Sequence, residues 1–356
     1  MVNLVAPINQ LGYGVVGYNV LKALQEAGHD VSYFPLGQPS WVGDLSNVKS
    51  AIEKAKNFDK TKPSIRIWHQ NDLAMFPGVG KRIGWPIFEL DRFDEQEKLH
   101  LSSVDQLFVC SAWARQILYD NGINPPLGIK VIPLGVDKSI FFKDDGAMRQ
   151  RAYWTREKTV FINVGKWEVR KGHNELLEAF NKAFTPEDNV ELWMMNSNPF
   201  IGNRNEEWKG KYLSSPMGES IRLLPRVDSQ QELAAIFNTV DFGVFPAHAE
   251  GWNLEPLELM ACGVPSVVTN YSGHTEYLNA TNSFLVEPIG MEEAHEAPWF
   301  HGQGNWCRFN VDALADAMKA ARDYKQNDQT HLEAGIKETV EKFTWANTVK
   351  LIEEAL

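Results

Sequence analysis

The stretch from Asp241 to Thr269 constrains the fold most, because it reads as one complete βαβ crossover. Asp241 to Phe245 is apolar enough to lie inside a parallel sheet whose two faces are both covered by helices. Pro246 ends that strand. Asn253 is placed to cap a helix, and Pro256 falls in its first turn, where backbone N–H groups lack intrahelical partners and a missing donor costs little. Gly263 and Pro265 close the helix, and Ser266 to Thr269 form the returning strand. The N–H groups of Gly251, Trp252, Asn253 and Leu254 therefore gather beside the carboxyl end of a strand, where open α/β sheets bind anions and sugars. Glu250 stands just before the helix and Glu258 inside it. Together they offer carboxylates to sugar hydroxyls while the N–H groups serve phosphate oxygens.

A chain of 356 residues is long enough for two cores, and 44% hydrophobic with 23% charged residues describes a globular protein. Its net charge of −11 argues against coating nucleic acid by phosphate neutralisation. Cys110, Cys262 and Cys307 are odd in number and far apart, which predicts free thiols and a reducing, cytoplasmic setting. The opening residues have no basic region and no long apolar run, so neither a signal peptide nor a membrane insertion is expected.

Taken in order, the chain alternates strand and helix. After a strand over Asn3 to Ala6, Gly12-Tyr-Gly14-Val-Val-Gly17 has the G-x-G-x-x-G spacing and is followed by a predicted helix from Tyr18 to Ala27. A dinucleotide site of this kind wants an acid after the second strand, but Val31 to Phe34 runs into Pro35-Leu-Gly37. That weakens an NAD-dependent oxidoreductase and leaves two uses for Gly12 and Gly14, ligand approach or close strand–helix packing. Residues 38–64 read as a polar helical segment. His69 follows the strand Ile65 to Trp68, and Glu89 with Asp91 follows the strand Lys81 to Phe88, each at a carboxyl end. A Glu-x-Asp pair is also compatible with a metal site. In the second half, Thr159 to Val164 is a strand, and Lys166, Arg170 and Lys171 crowd the turn that follows. Several cations at a strand-to-helix turn are what a diphosphate leaving group needs. Residues 196–213 give no clear element. Residues 288–309 stand out as an insertion, whose His295, His301 and Cys307 lack zinc-site spacing.

Glu250 and Glu258, separated by seven residues and followed by Ala261-Cys-Gly-Val-Pro265, resemble the signature of the family-4 retaining glycosyltransferases, nucleotide-sugar enzymes of the GT-B fold. Ser111 after a strand, Pro133-Leu-Gly-Val-Asp137, Lys171-Gly172 and Gly273-His-Thr-Glu276 resemble other parts of that family. Asn253 stands where the family usually has glycine, Glu255 where it often has proline or an apolar residue, and Lys166 where it has arginine. The resemblance implies an α/β protein of two Rossmann-like parallel-sheet domains facing across a cleft. Residues 1–156 would form the acceptor side, with the helix 343–356 packing back on it, and residues 157–342 the donor side, joined by a charged connection over 141–158.

It further implies metal-independent, retaining transfer of a hexose from a UDP- or GDP-sugar, with no cofactor beyond that donor. Glu250 would position the hexose, Glu258 the ribose, and Lys166 and Lys171 the diphosphate, with Arg170 beside them. Gly12 and Gly14 would approach the donor, and Arg226 and Val227 would line the nucleobase pocket. His69 and Glu89 would face the acceptor. The acceptor itself, a carbohydrate, small molecule or modified nucleobase, is left open, as are UDP against GDP and the oligomeric state. A non-catalytic nucleotide-sugar-binding protein is the other rival.

Overall fold

The computed structural model describes residues 1–147, 158–297, 299–327 and 329–356, and they form two compact units. The first comprises Met1–Asp137, Ser272–Glu276 and Lys342–Leu356; the second comprises Lys138–Tyr271 and Tyr277–Glu341. The expected boundary at 156 and 157, and most of the expected connection, lie outside the described residues. Residues 138–147 already belong to the second unit. Asn238 there accepts from the Asp144 N–H at 2.8 Å and donates to the Phe142 carbonyl at 3.0 Å.

In the first unit, β1 (Val2–Ala6), β2 (Val31–Pro35), β3 (Ser64–Ile67), β4 (Arg82–Trp85), β5 (Gln106–Val109) and β6 (Ile129–Val131) form one sheet in the order β2-β1-β3-β4-β5-β6. Every pairing is parallel. All five residues of β1 are buried, as expected of a strand with helices on both faces. The C-terminal helix Trp345–Ala355 is tied into this unit: Thr348 donates to the Pro133 carbonyl at 2.8 Å, and Lys81 to the Ala355 carbonyl at 2.6 Å.

The second unit repeats the plan. β7 (Thr159–Gly165), β8 (Val190–Asn196), β9 (Ile221–Leu223), β10 (Phe242–Phe245), β11 (Ser266–Thr269) and β12 (Ser283–Val286) are parallel, in the order β12-β11-β10-β7-β8-β9. This is the strand order of dinucleotide-binding Rossmann sheets. From central β7 the chain winds outward through β8 and β9, then returns to the other side of β7 as β10. The order therefore reverses between β7 and β10, and a crevice opens beyond their carboxyl ends. The core beneath is aromatic and aliphatic, with Phe161, Phe242, Leu176 and Phe180 meeting Leu314 and Met318 of the helix Val311–Gln326.

Two expectations need correction, and two stretches without an assignment from sequence acquire one. The first helix runs Gly12–Glu26, so the glycine motif lies inside its opening turns rather than ahead of it. A Cβ on Gly14 would lie 2.3 Å from the Asn9 nitrogen, and one on Gly17 would lie 2.1 Å from the Pro7 carbonyl, so both glycines serve helix–loop packing. β4 stops at Trp85 because Pro86 cannot donate to a ladder. Residues 204–213, without an assignment from sequence, form the helix Arg204–Leu213. The 288–309 insertion is an antiparallel hairpin, β13 (Pro288–Glu296) with β14 (Phe300–Phe309).

Candidate active site

The site in the second unit is built from two loops, one leaving β7 and one leaving β10. Gly172 sits at φ 71°, and a Cβ there would lie 1.9 Å from the Pro246 carbonyl, so only glycine lets the first loop press against the second. That approach brings charges from distant parts of the chain together. Lys171 Nζ lies 2.7 Å from Glu250 Oε1, and Arg170 Nη1 lies 3.0 Å from Glu250 Oε2. Arg170 also meets Glu168 at 2.7 Å and donates to the Ala249 carbonyl at 2.6 Å. Lys166 Nζ is 2.5 Å from Glu168 Oε1. The side chains of Glu168, Arg170, Glu250 and Lys171 are only 4, 5, 7 and 11% exposed. Charges so deeply buried persist only when paired.

Burial opposes the Glu168 charge, but Arg170 and then Lys166 overcome it, and its pKa falls below the usual carboxylate value. Burial likewise opposes the Lys171 charge, yet Glu250 and Glu255 outweigh it and raise its pKa. His173, at the start of the next helix, is fully buried and its pKa is driven down to about 3 by burial and then by Lys171. It is therefore neutral: Nδ1 accepts from the Glu168 N–H at 3.2 Å, which leaves Nε2 to donate to Asn163 Oδ1 at 3.1 Å.

The helix Leu254–Ala261 supplies the other wall. Asn253 precedes it at φ 72°, a left-handed backbone that glycine adopts freely and asparagine tolerates better than most residues. This accounts for asparagine at a position where the resembling family favours glycine. It also corrects the expected side-chain cap, since Asn253 makes none. Instead its Oδ1 and Nδ2 are buried without a protein hydrogen-bond partner, while its carbonyl accepts from the Tyr277 hydroxyl. Trp252 packs on the Tyr277 ring at 4.9 Å. Glu255 and Glu258 are three apart on the helix and so share a face. Burial, and then repulsion from Glu255, push Glu258 up to about 8, which leaves it mostly protonated at neutral pH. Glu255, Glu250 and Glu258 all bear on the Tyr277 hydroxyl, whose pKa is raised by burial first and by these carboxylates next.

The structure thus brings Lys171, Arg170, Glu250 and, through Glu168, Lys166 into one cluster at the switch point, with Gly251, Trp252, Asn253, Leu254 and Glu258 on the adjoining loop and helix. Arg226 and Val227 follow β9, two strands from β7, and Arg226 sits 3.6 Å from Asp228. The remaining candidates belong to the first unit. His69 is exposed after β3, with its ring 4.6 Å from Tyr13. Tyr13 is held at Ile87, donating to its carbonyl at 2.7 Å and accepting from its N–H at 3.0 Å. Burial and then the Glu89 charge raise the Tyr13 pKa. Gly12 and Gly14 flank this tyrosine, and no atom lies within 4 Å of a Cβ built on Gly12.

Sequence reasoning missed Tyr13, Glu168, Tyr277 and the role of Glu255. Glu255 carried a readable signal, its spacing of three from Glu258 on a predicted helix. The others are brought in by tertiary contacts that no local pattern encodes. Among the described residues no three His, Cys, Asp or Glu side chains group as a metal-holding set, and no helix is long and apolar enough to cross a membrane.

Residues 158–297 match the sequence family described as "Glycosyl transferases group 1". The MMP alpha-(1->4)-mannosyltransferase of Mycolicibacterium hassiacum is 26% identical over 83% of this chain and 60% of its own length. The D-inositol 3-phosphate glycosyltransferase of Geodermatophilus obscurus is 27% identical over 92% of this chain and 66% of its own length. The chain therefore spans less than two thirds of either relative. Among solved structures, the sucrose-phosphate synthase of Thermosynechococcus elongatus superposes with a TM-score of 0.74 at 17% identity, covering 99% of this chain and 97% of that one. Anabaena HepE, in complex with UDP and glucose, gives 0.71 at 14% identity, covering 99% and 98%. By sequence over residues 158–297 and by fold over nearly the whole chain, the protein is similar to the group 1 glycosyltransferases of the GT-B fold.

Proposed function

We propose that the protein is a retaining glycosyltransferase that moves a hexose from a UDP- or GDP-sugar to an acceptor hydroxyl without a metal. The observation that carries this reading is the Lys171–Glu250–Arg170 cluster at the carboxyl ends of β7 and β10, with Glu258 and the orphaned Asn253 amide beside it. Support for a hexose donor comes from the relative named a mannosyltransferase and from a fold relative crystallised with UDP and glucose.

In this reading the bond between the anomeric carbon and the diphosphate oxygen breaks, and Lys171 and Lys166 neutralise the charge that grows on the departing oxygens. The acceptor oxygen bonds to the same face of the anomeric carbon, and its proton passes to the departing diphosphate. Glu250 accepts from hexose hydroxyls and Glu258 from the ribose. Arg170, enclosed by Glu168, Glu250 and the Ala249 carbonyl, serves to hold Glu250 rather than to meet phosphate. His69 and Glu89 stand beside Tyr13 as acceptor-side groups, and Arg226 and Val227 line the nucleobase pocket.

The test is release of UDP or GDP from a panel of nucleotide sugars, with and without candidate acceptors, measured for the parent and for Lys171→Ala and Glu258→Ala. Both variants should remain folded and lose turnover: Lys171→Ala by about a hundredfold or more, the scale expected when a group stabilising transition-state charge is removed, and Glu258→Ala through lost hydrogen bonds to the ribose. Near-parental turnover in Lys171→Ala refutes the assigned role, and tight nucleotide-sugar binding without any release points to a binding protein.

A further inference from the structure

The hairpin β13–β14 is absent from the sheet plan described above, yet it touches both loops of the site. At its tip, the Glu296 carboxylate takes two consecutive backbone donors of the β7 loop, the Val169 N–H at 2.7 Å and the Arg170 N–H at 3.0 Å. At its base, Cys307 pairs with the β10 loop. Its N–H donates to the His248 carbonyl at 3.0 Å, and its own carbonyl accepts from His248 Nδ1 at 2.7 Å. Trp306 stacks on the His248 ring at 5.5 Å with 29° between planes, and Phe309 packs against it at 5.0 Å. The two loops are in turn joined by the His248 N–H, which donates to the Arg170 carbonyl at 2.8 Å. A closed circuit results: hairpin tip to residues 169 and 170, residue 170 to residue 248, residue 248 to hairpin base.

We propose that this hairpin is a strut that sets the geometry of the diphosphate site, and that Glu296 is its positioning residue. One carboxylate gathers two adjacent amides, so the peptide between Val169 and Arg170 is fixed in orientation. The side chains of Arg170 and Lys171 leave the backbone at that fixed peptide and at the next one. Both must reach Glu250, at 3.0 and 2.7 Å, from a loop that begins and ends in glycine. A second carboxyl oxygen is required, because a single acceptor satisfies one amide and leaves the other buried and unpaired. Glutamine at this position offers one acceptor and turns an N–H₂ group toward the other amide, so the clip opens while the shape of the side chain is kept. The inference rests on the reading of this site as one that binds a nucleoside diphosphate.

The experiment compares the full chain with its Glu296→Gln variant in two measurements: UDP and GDP affinity by calorimetry, and hydrogen exchange of the peptide covering residues 165–172. The variant should bind the nucleotide that the parent prefers about tenfold or more weakly, as expected when a charge-assisted pair of hydrogen bonds is lost. It should exchange faster in 165–172, with the core strands unchanged. Nucleotide affinity within twofold of the parent and unchanged exchange in that peptide overturn the proposal. If the parent binds neither these nucleotides nor their glucose and mannose conjugates, the nucleotide-sugar reading falls, and the exchange measurement alone still decides whether Glu296 orders the loop. Should Glu296→Gln fail to fold, Glu296→Asp carries the test, since it keeps the charge on a stem one methylene shorter. Parental affinity and exchange in that variant overturn the proposal, and a threefold or greater loss of affinity supports it.

Discussion

Replacing Glu258 with glutamine separates what this residue costs the fold from what it contributes to a ligand. Its carboxyl is 7% exposed, and burial together with Glu255 raises its pKa from 4.5 to about 8. A carboxyl whose native pKa is raised keeps its proton in the folded protein after the unfolded chain has lost it. The penalty is therefore absent below about pH 4, grows as the pH rises, and levels off above about pH 8 at roughly 4 to 5 kcal/mol, because a tenfold change in proton affinity is worth about 1.36 kcal/mol. Glutamine has nearly the same shape and no charge, but its buried amide forgoes hydrogen bonds worth about 1 to 3 kcal/mol. The net expectation for Glu258→Gln is a gain of about 2 kcal/mol near pH 9, shrinking toward zero or below near pH 5. Binding should show the opposite sign. If ribose hydroxyls donate to the Glu258 carboxylate, binding expels its proton, so UDP affinity in the parent rises by up to about tenfold per pH unit and flattens above about 8. The variant should bind weakly and without that slope. Urea unfolding at several pH values, paired with calorimetric titration of UDP and GDP, reads both effects. A variant that is less stable than the parent at every pH, or a parent whose nucleotide affinity is flat between about pH 6 and 8, refutes the reasoning.

Two further substitutions test how the site is assembled. Glu250→Gln leaves Lys171 and one arm of Arg170 without their carboxylate and should cost about 3 to 5 kcal/mol, whereas Lys171→Met leaves Glu250 paired with Arg170 and should cost less; thermal unfolding that ranks the two the other way round contradicts this account of the cluster. Gly172→Ala forces a Cβ to within 1.9 Å of the Pro246 carbonyl at φ 71°, so urea unfolding should show a loss of about 3 kcal/mol or more, and parental stability would mean that the loop approach is not as tight as described.

Most of the sheet plan was legible in the sequence because buried parallel strands write themselves as short apolar runs bounded by proline and glycine. Asp241 to Phe245, ended by Pro246, and Ser266 to Thr269, begun after Pro265, are found within a residue of where they were expected. The errors came where two signals compete. Glycines at 12, 14 and 17 read as a loop because glycine is a poor helix former, yet they open a helix, since contacts with Asn9 and Pro7 require the absence of a Cβ at 14 and 17. The hairpin over 288–309 carries alternation broken by two register shifts, which blurs the two-residue period by which strands are recognised.

The site was legible as a set of residue types but not as a network, and strand order explains the difference. Lys171 and Glu250 are adjacent only because β10 returns to lie against β7, and no local pattern announces which side of a central strand the chain will return to. Once that neighbour relation is known, the chemistry follows from charge. Lys166, Arg170 and Lys171 bring three positive charges to a buried corner, and Glu168 and Glu250 bring two negative ones. Glu255 acts on Lys171 from the helix, and Glu258 stands beside it mostly protonated. A corner so nearly neutral has no large excess of positive charge with which to hold a diphosphate. For Lys171 to meet phosphate it must give up Glu250, whose Oε2 keeps Arg170 but whose Oε1 must then find a donor elsewhere. Hexose hydroxyls are such donors, whereas a nucleoside diphosphate without its hexose has only ribose hydroxyls, which the proposed function assigns to Glu258, so that reading favours the intact nucleotide sugar over the free diphosphate. On the proposed function, the same pairing that keeps these charges buried in the folded protein would make the site prefer a phosphate that arrives with a sugar attached.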